Sequence, residues 1–469
     1  MKLSEVSAVL REIGVSPVRS LGQNFLHDRN LARWIVDQAN VTADDYVIEI
    51  GPGLGALTQF ALAKGARVLA IEKDKRLVQH LRDKFRTDAL EIVHGDALEF
   101  DTRILYTQRQ VKLLGNLPYY ISSQLLIKFL EHPSPISLWL LMLQKELAKR
   151  IGASPSTTDY GALTLQIQLH HRVEYLRSVS ASVFIPKPEV DSALVRISPR
   201  DEHEFSACDY KIFEKIVRRG FSQRRKQLRK LIREEVPTWE TIADALGLNP
   251  RARAEGLSLQ QWIALTNRIS PITPARSSEL SEEQLQVVDE ADRPVGAVSR
   301  NQVHANNLLH RAVHVLIFSS SGEVFLQLRS RLKDRHPLTW DSSAAGHVEA
   351  GEDYDQTAKR ELREELGVET ALKRVAKLPA SQRTDLEFIC LYCGLYDGSL
   401  RPKPAEIEAG RFFPPAIVDQ WIQARPREFA PGFVECWKVW REKTISADGD
   451  ASAMSILRRV WERGQGRCV

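Results

Sequence analysis

The stretch Tyr46-Val47-Ile48-Glu49-Ile50-Gly51-Pro52-Gly53-Leu54-Gly55 decides the fold of the first half of this chain. Its β-branched and aromatic residues predict a strand, and the strand runs into a glycine-rich turn. Glycine lets the backbone approach a ligand closely and adopt conformations barred to other residues. A helix follows to about Lys64. Ala66-Arg67-Val68-Leu69-Ala70-Ile71 predicts a second strand, ending at Glu72. Leu90-Glu91-Ile92-Val93-His94 is a third and Lys112-Leu113-Leu114-Gly115-Asn116 a fourth. Strands separated by helices predict a parallel, doubly wound α/β sheet.

Outward from this sheet the pattern changes twice. Strands stop after about Arg200, and residues 205–268 read as a small helical unit. Ile269-Ser270-Pro271-Ile272-Thr273-Pro274-Ala275-Arg276-Ser277-Ser278 has two prolines and no periodicity, as a linker does. Strands return near Leu285. His314-Val315-Leu316-Ile317-Phe318 and Val324-Phe325-Leu326-Gln327-Leu328 flank a Ser-Gly turn as a hairpin, and a charged helix follows over 353–366. The expected domains are 1–200, 201–268, a linker at 269–284, 285–445 and a tail at 446–469.

A chain of 469 residues is too long for one ordinary domain. No window approaches the ~18 apolar residues that span a bilayer, and the first residues lack a signal-peptide core. Five cysteines are sparse. Cys390 and Cys393 sit in an apolar strand with no second pair to complete a zinc site. A reducing cytoplasm is the expected location. Residues 1–270 hold 38 Lys+Arg against 31 Asp+Glu, whereas the rest hold 27 against 29. The positive charge therefore belongs to the first half, as expected if that half alone meets nucleic acid. Arg218, Arg219, Arg224, Arg225, Lys226, Arg229, Lys230 and Arg233 fall in a run without an acid, a pattern suited to phosphate contact.

The strand ends carry the chemistry. Glu72, about 20 residues beyond the glycine turn, suits ribose hydroxyls. Asp96, after the third strand, could accept from an adenine amine. Each feature alone also fits a solvated strand end, and dinucleotide-binding enzymes share the glycine turn. The three in order favour S-adenosylmethionine. Asn116-Leu117-Pro118-Tyr119 closes the fourth strand. An exocyclic adenine amine is a poor nucleophile because its lone pair is conjugated. The Asn116 side-chain oxygen and the Leu117 carbonyl could draw it towards tetrahedral geometry. Pro118 would stiffen the loop, and Tyr119 would offer a ring for stacking. The sulfonium is already a good leaving group, so alignment supplies much of the rate.

Leu21-Gly22-Gln23-Asn24-Phe25-Leu26, the glycine turn, Asn116-Leu117-Pro118-Tyr119, Gln144-Lys145-Glu146, Tyr160-Gly161 and Phe184-Ile185-Pro186-Lys187-Pro188-Glu189-Val190-Asp191-Ser192 occur in this order. Over roughly residues 1–268 the chain resembles the ribosomal RNA adenine dimethyltransferases. The resemblance implies a Rossmann-like methyltransferase with a small helical RNA-binding domain. It implies dimethylation of two adjacent adenosines near the 3′ end of small-subunit ribosomal RNA, with the immature 30S subunit rather than DNA as partner. It also implies a cofactor site from Asn24, Leu26, Gly51, Gly53, Glu72, Asp96 and Asn116, and places Phe184 opposite Tyr119 at the target base. Erythromycin-resistance methylases, which modify large-subunit RNA, share much of this pattern. The stretch from Gln144 to Gly161 favours the small-subunit enzyme.

In the second half, Gly346-His347-Val348-Glu349-Ala350-Gly351-Glu352 leads to Arg360-Glu361-Leu362-Arg363-Glu364-Glu365-Leu366-Gly367-Val368. On a helix Glu361 and Glu365 share a face, with Glu364 close by. Clustered hard carboxylates suit Mg²⁺ or Mn²⁺. The pattern resembles the Nudix box in every fixed position and implies an α/β/α sandwich. The implied reaction is attack of water on a diphosphate-containing small molecule. Glu361 or a later carboxylate is the candidate base, Glu406 the candidate downstream ligand or base, and Arg360 could orient Glu352. The flanks resemble the Nudix branch that includes isopentenyl diphosphate isomerases, through Val303-His304, Leu309-His310-Arg311, Trp340-Asp341 and Gly346-His347. The isomerase cysteine position holds Ala345, so hydrolysis is the expectation and isomerisation or binding alone the alternative. His304, His310 and His347 remain open between a metal site and structural histidines.

Overall fold

The computed structural model describes residues 3–16, 23–272 and 283–445. Leu21, Gly22, most of the expected linker and the expected tail lie outside the described residues. The chain divides into two compact units, Met1–Pro271 and Ile272–Val469.

The first unit is built on a seven-stranded sheet. Its strands are β1 (Tyr46–Ile50), β2 (Arg67–Glu72), β3 (Leu90–His94), β4 (Val111–Asn116), β5 (Ile136–Gln144), β6 (His171–Val179) and β7 (Ser192–Pro199), in the order β3-β2-β1-β4-β5-β7-β6. The first five in that order run parallel, and β7 is antiparallel to both of its neighbours, β5 and β6. Both faces are covered, so β1 is apolar on each: Ile48 and Ile50 enter one core and Val47 the other. Strand order reverses between β1 and β4. In open α/β sheets the crevice beyond such strand ends receives ligands.

Helix α1 (Thr58–Ala63) follows β1, α2 (Lys75–Lys84) follows β2 and α3 (Ser122–Phe129) follows β4. The helical part comprises α4 (Tyr210–Phe221), α5 (Leu228–Leu231), α6 (Trp239–Ala245) and α7 (Leu259–Ile269). It closes around its own core of Phe213, Val217, Leu228, Trp239 and Trp262. Asp209 caps α4 and Ser258 caps α7 through their side chains.

The second unit is an α/β/α sandwich. Its mixed sheet has nine strands: β8 (Gln284–Val288), β9 (Pro294–Ser299), β10 (His310–Phe318), β11 (Val324–Arg329), β12 (Trp340–Asp341), β13 (Ala344–His347), β14 (Leu372–Leu378), β15 (Glu387–Leu395) and β16 (Ile407–Phe413). Strand β10 lies parallel to β15 and antiparallel to β13. Val313, Val315 and Ile317 meet Ala358, Leu362 and Leu366 of α8 (Tyr354–Leu366) on one face. On the other face, Phe318 stacks on Trp440 of α10 (Pro431–Ile445), and Trp340 meets Trp421 of α9 (Pro415–Ala424). Period-two alternation along β10 separates these two layers. Asp353 and Gln356 form a capping box that starts α8. Cys390 and Cys393 are buried in β15.

Candidate functional sites

The first unit has a cleft at the C-terminal ends of its parallel strands. Asn24, Leu26, Gly51, Gly53, Glu72, Asp96 and Asn116 all line it, joined by Glu49, Lys73 and Pro118. Gly51 and Gly53 have φ of +64° and +56°. A Cβ at Gly53 would stand 3.0 Å from the Phe25 ring, so this turn is held to glycine by conformation and space.

Glu72 is fixed rather than free. One carboxylate oxygen accepts from Gly53 N at 3.2 Å and the other from Asp74 N at 2.9 Å. Burial still raises its pKa. Asp96 accepts from Lys73 Nζ at 2.7 Å and from Leu98 N at 2.9 Å, and the lysine bond lowers its pKa. Glu49 is buried against the Thr58 hydroxyl at 2.5 Å, and burial pushes its pKa to about 7. Acidic acceptors beside a glycine turn fit the ribose and adenine of an adenosyl cofactor.

Asn116 Nδ2 donates to the Asn24 carbonyl at 2.9 Å. Leu117 N donates to Met142 O at 3.1 Å, and the Leu117 side chain is buried. The Tyr119 hydroxyl pairs with Ser192 Oγ at 2.5 Å, beside the half-buried Pro118 and the exposed Tyr120. Neither Leu117 nor Tyr119 lines the cleft, and Phe184 is not brought to it either. Its backbone pairs with Leu26, and its ring is 2% exposed in the core with Ile35 and Met142.

The basic run of the helical part is partly neutralised by folding. Arg218 pairs with Glu214, Arg219 with Glu234 and Glu235, Arg224 with Glu255 and Arg229 with Glu240. Arg225, Lys226, Lys230 and Arg233 stay exposed.

The second unit has a polar cavity lined by Glu361, Glu364, Glu365, Glu406, Lys333, Arg329 and Ala345. Glu361 and Glu365 are buried, whereas the Glu364 side chain is half exposed. Burial raises the pKa of both buried carboxyls, and their mutual repulsion adds to it at Glu361. Glu365 Oε2 accepts from Gln327 Nε2 at 3.0 Å and from Ala345 N at 3.3 Å. Arg360 donates to Glu352 at 3.0 Å and to Glu361 at 2.9 Å. Gly346 leaves the space that the Glu361 carboxyl fills. Two buried carboxylates on one helical face, mutually repulsive and partly hydrogen-bonded, fit a divalent cation.

Donor atoms of His304, His310 and His347 lie within 4.8 Å of one another, and of the three His347 lines the cavity. His310 Nδ1 donates to the Leu308 carbonyl at 2.9 Å, and its Nε2 lies 3.5 Å from Glu387 Oε1. His347 Nε2 lies 3.2 Å from the same oxygen. Burial lowers His304 and His347 to pKa values of about 4, so both rings are neutral. Three imidazoles beside a carboxylate are a candidate ligand set, with Arg335 donating to His304 Nδ1 at 2.9 Å. The sequence identified the histidines but not Glu387, which lies on β15 with no local motif around it.

The model of the ribosomal RNA adenine dimethylase family matches residues 17–270. That of the NUDIX domain matches residues 308–433. A ribosomal RNA small subunit methyltransferase A from Halothermothrix orenii is 39% identical over 274 residues, covering 56% of this chain and 91% of the relative. The protein of the same name from Geobacillus thermodenitrificans is 36% identical, covering 56% and 94%. A solved structure from Deinococcus radiodurans is 30% identical with a TM-score of 0.31, covering 34% of this chain and 98% of its own.

Proposed function

Because the chain belongs to the ribosomal RNA adenine dimethylase family and carries a Nudix hydrolase domain, we propose that it dimethylates N6 of two adjacent adenosines near the 3′ end of small-subunit ribosomal RNA. We further propose that its second unit hydrolyses a diphosphate-containing small molecule with Mg²⁺ or Mn²⁺. The immature 30S subunit is the proposed RNA partner and the cytoplasm the proposed location. No helix among the described residues is long and apolar enough to cross a membrane.

One observation carries the methyltransferase reading: a single cleft gathers both acidic acceptors, the glycine turn and Asn116. S-adenosylmethionine, when bound, supplies an electrophilic methyl group. Glu72 and Asp96 would orient its ribose and adenine. Asn116 Oδ1 and the Leu117 carbonyl would accept from the target amine, and Tyr119 would stack on the unstacked base. Exposed Arg225, Lys226, Lys230 and Arg233 would hold the RNA backbone. Methyl transfer from labelled donor to unmodified 30S subunits tests this reading. Labelled adjacent dimethyladenosines are expected, and labelling of large-subunit RNA alone would overturn the target.

In the second unit the buried pair Glu361 and Glu365 carries the hydrolase reading. A divalent cation there supplies charge neutralisation and water activation. Arg360 would hold Glu361 and the Glu352 loop in place. The imidazole cluster, which reaches the cavity through His347 and Glu387, offers a second candidate ligand set. Phosphate or nucleotide release from a panel of diphosphate esters, compared with Glu365→Gln, identifies the substrate. Equal turnover by wild type and variant would refute the site.

A further inference from the structure

The glutamate cluster of the second unit has a cation of its own. The segment after β11 turns at Ser330, whose N–H donates to the Glu406 carbonyl at 2.9 Å, and Lys333 N–H donates back to Ser330 O at 3.1 Å. These bonds tie the backbone of Lys333 to that of Glu406. The Lys333 ammonium contacts the Glu406 carboxylate and lies 4.0 Å from Glu365 Oε1, with its side chain 17% exposed. Its positive charge lowers the pKa of Glu406 against the effect of burial. It also moderates the raised values at Glu361 and Glu365.

Two neighbouring guanidiniums are held by other acceptors as well, and Lys403, which also lines the cavity, is exposed. Arg360 bonds Glu352 and the His347 carbonyl, besides reaching Glu361. Arg329 bonds Asp341 at 2.9 Å and the Arg335 carbonyl at 3.1 Å. Each guanidinium is a planar fork held by several acceptors. An ammonium on a four-carbon stem is a point charge that can swing.

We propose that Lys333 is a built-in counter-ion of the glutamate seat, displaced by a divalent cation and then available to the non-bridging oxygens of the diphosphate. This rests on the reading of Glu361 and Glu365 as the cation seat. In the cation-free protein the ammonium neutralises Glu365 and Glu406 and so competes with metal for the same carboxylates. When a divalent cation takes the carboxylates, the ammonium loses its partners while remaining inside the cavity. An anionic diphosphate then compensates it. Cation and diphosphate therefore bind with positive coupling, and each strengthens the other by the same factor.

Mn²⁺ titration of the full chain, with free ion read by electron paramagnetic resonance, tests this with metal alone. Comparing wild type with Glu365→Gln isolates the glutamate seat from the imidazole cluster. Lys333→Gln is expected to bind Mn²⁺ at that seat about tenfold more tightly than wild type, within the usual span of coupling between sites. At saturating Mn²⁺ the same variant is expected to bind methylenediphosphonate, a non-hydrolysable probe, about tenfold more weakly by calorimetry. Lys333→Arg, which keeps the charge, should restore most of both values. A general loss of structure would weaken both ligands together, so opposite signs mark the counter-ion. If Glu365→Gln removes a Mn²⁺ site but Lys333→Gln leaves metal affinity unchanged or lower, the counter-ion is refuted while the seat stands. If Glu365→Gln titrates like wild type, the seat itself falls and the proposal with it.

Discussion

The Asn116 side-chain amide donates to the Asn24 backbone carbonyl at 2.9 Å. A carbonyl can only accept, so this bond settles which end of the amide faces which way. Nδ2 is committed to Asn24, and Oδ1 is left to accept from an incoming amine. Asn116→Ala removes that acceptor. Methyl transfer is expected to fall by roughly 10²–10³, the range seen when one preorganised group at a reacting centre is deleted. Asn116→Asp sets an acceptor against the Asn24 carbonyl and should fail similarly. Single-turnover transfer at saturating donor checks both, and retention of wild-type rate by either variant would contradict this role.

Tyr119 makes a second separable contribution. Its hydroxyl bonds Ser192 Oγ at 2.5 Å, which pins the ring from the far side of the motif. Tyr119→Phe keeps the stacking face and loses the anchor, so a decrease of a few-fold is expected, together with a similar loss in Ser192→Ala. Tyr119→Ala removes the face as well, and base stacking on an aromatic is worth about 1–3 kcal/mol. A decrease of about tenfold or more beyond the Phe variant should follow. Equal rates for Phe and Ala would mean that no base stacks there.

Much of this was legible because strand, turn and helix follow one another locally. Tyr46–Ile50 and the glycines after it announce a strand end, and the acids at Glu72 and Asp96 sit at the next two. The glutamate helix was equally plain, since Glu361 and Glu365, four apart, share a face of an α-helix. What was hidden depends on distant pairing. Nothing near Arg219 in the run predicts that Glu234 and Glu235 fold against it. Phe184 reads as an aromatic near the reaction. Its pairing with Leu26 places its ring in the core instead. Glu387 and Lys333 lie in segments without motif character, and only the sheet brings them to the cavity.

Gly346 is constrained by space. A Cβ there would overlap the Glu361 carboxyl group. Gly346→Ala should therefore expel Glu361 from its seat without disturbing the sheet, because β13 pairs with β10 through backbone bonds. Loss of Mn²⁺ binding at the glutamate seat with a far-ultraviolet circular dichroism spectrum like that of wild type is the expected result. Wild-type metal affinity in this variant would show that Glu361 is not a ligand.

Glu49 gives a pH signature for the first unit. Burial raises its carboxyl from 4.5 to about 7 against the Thr58 hydroxyl bond. The folded state thus holds this proton more tightly than the unfolded chain. Its stabilising contribution is fully present below pH 4.5 and is lost as pH rises through about 7. Above that, the folded protein carries a buried charge, at a cost of up to ~3 kcal/mol by the conversion of pKa shift to free energy. Glu49→Gln preserves shape and removes the titration. Without cofactor, the first unit of wild type and variant should melt alike near pH 5. At pH 8 the variant should melt higher by several degrees. A difference between the two melting temperatures that stays constant from pH 5 to pH 8 would show that Glu49 does not titrate in this range.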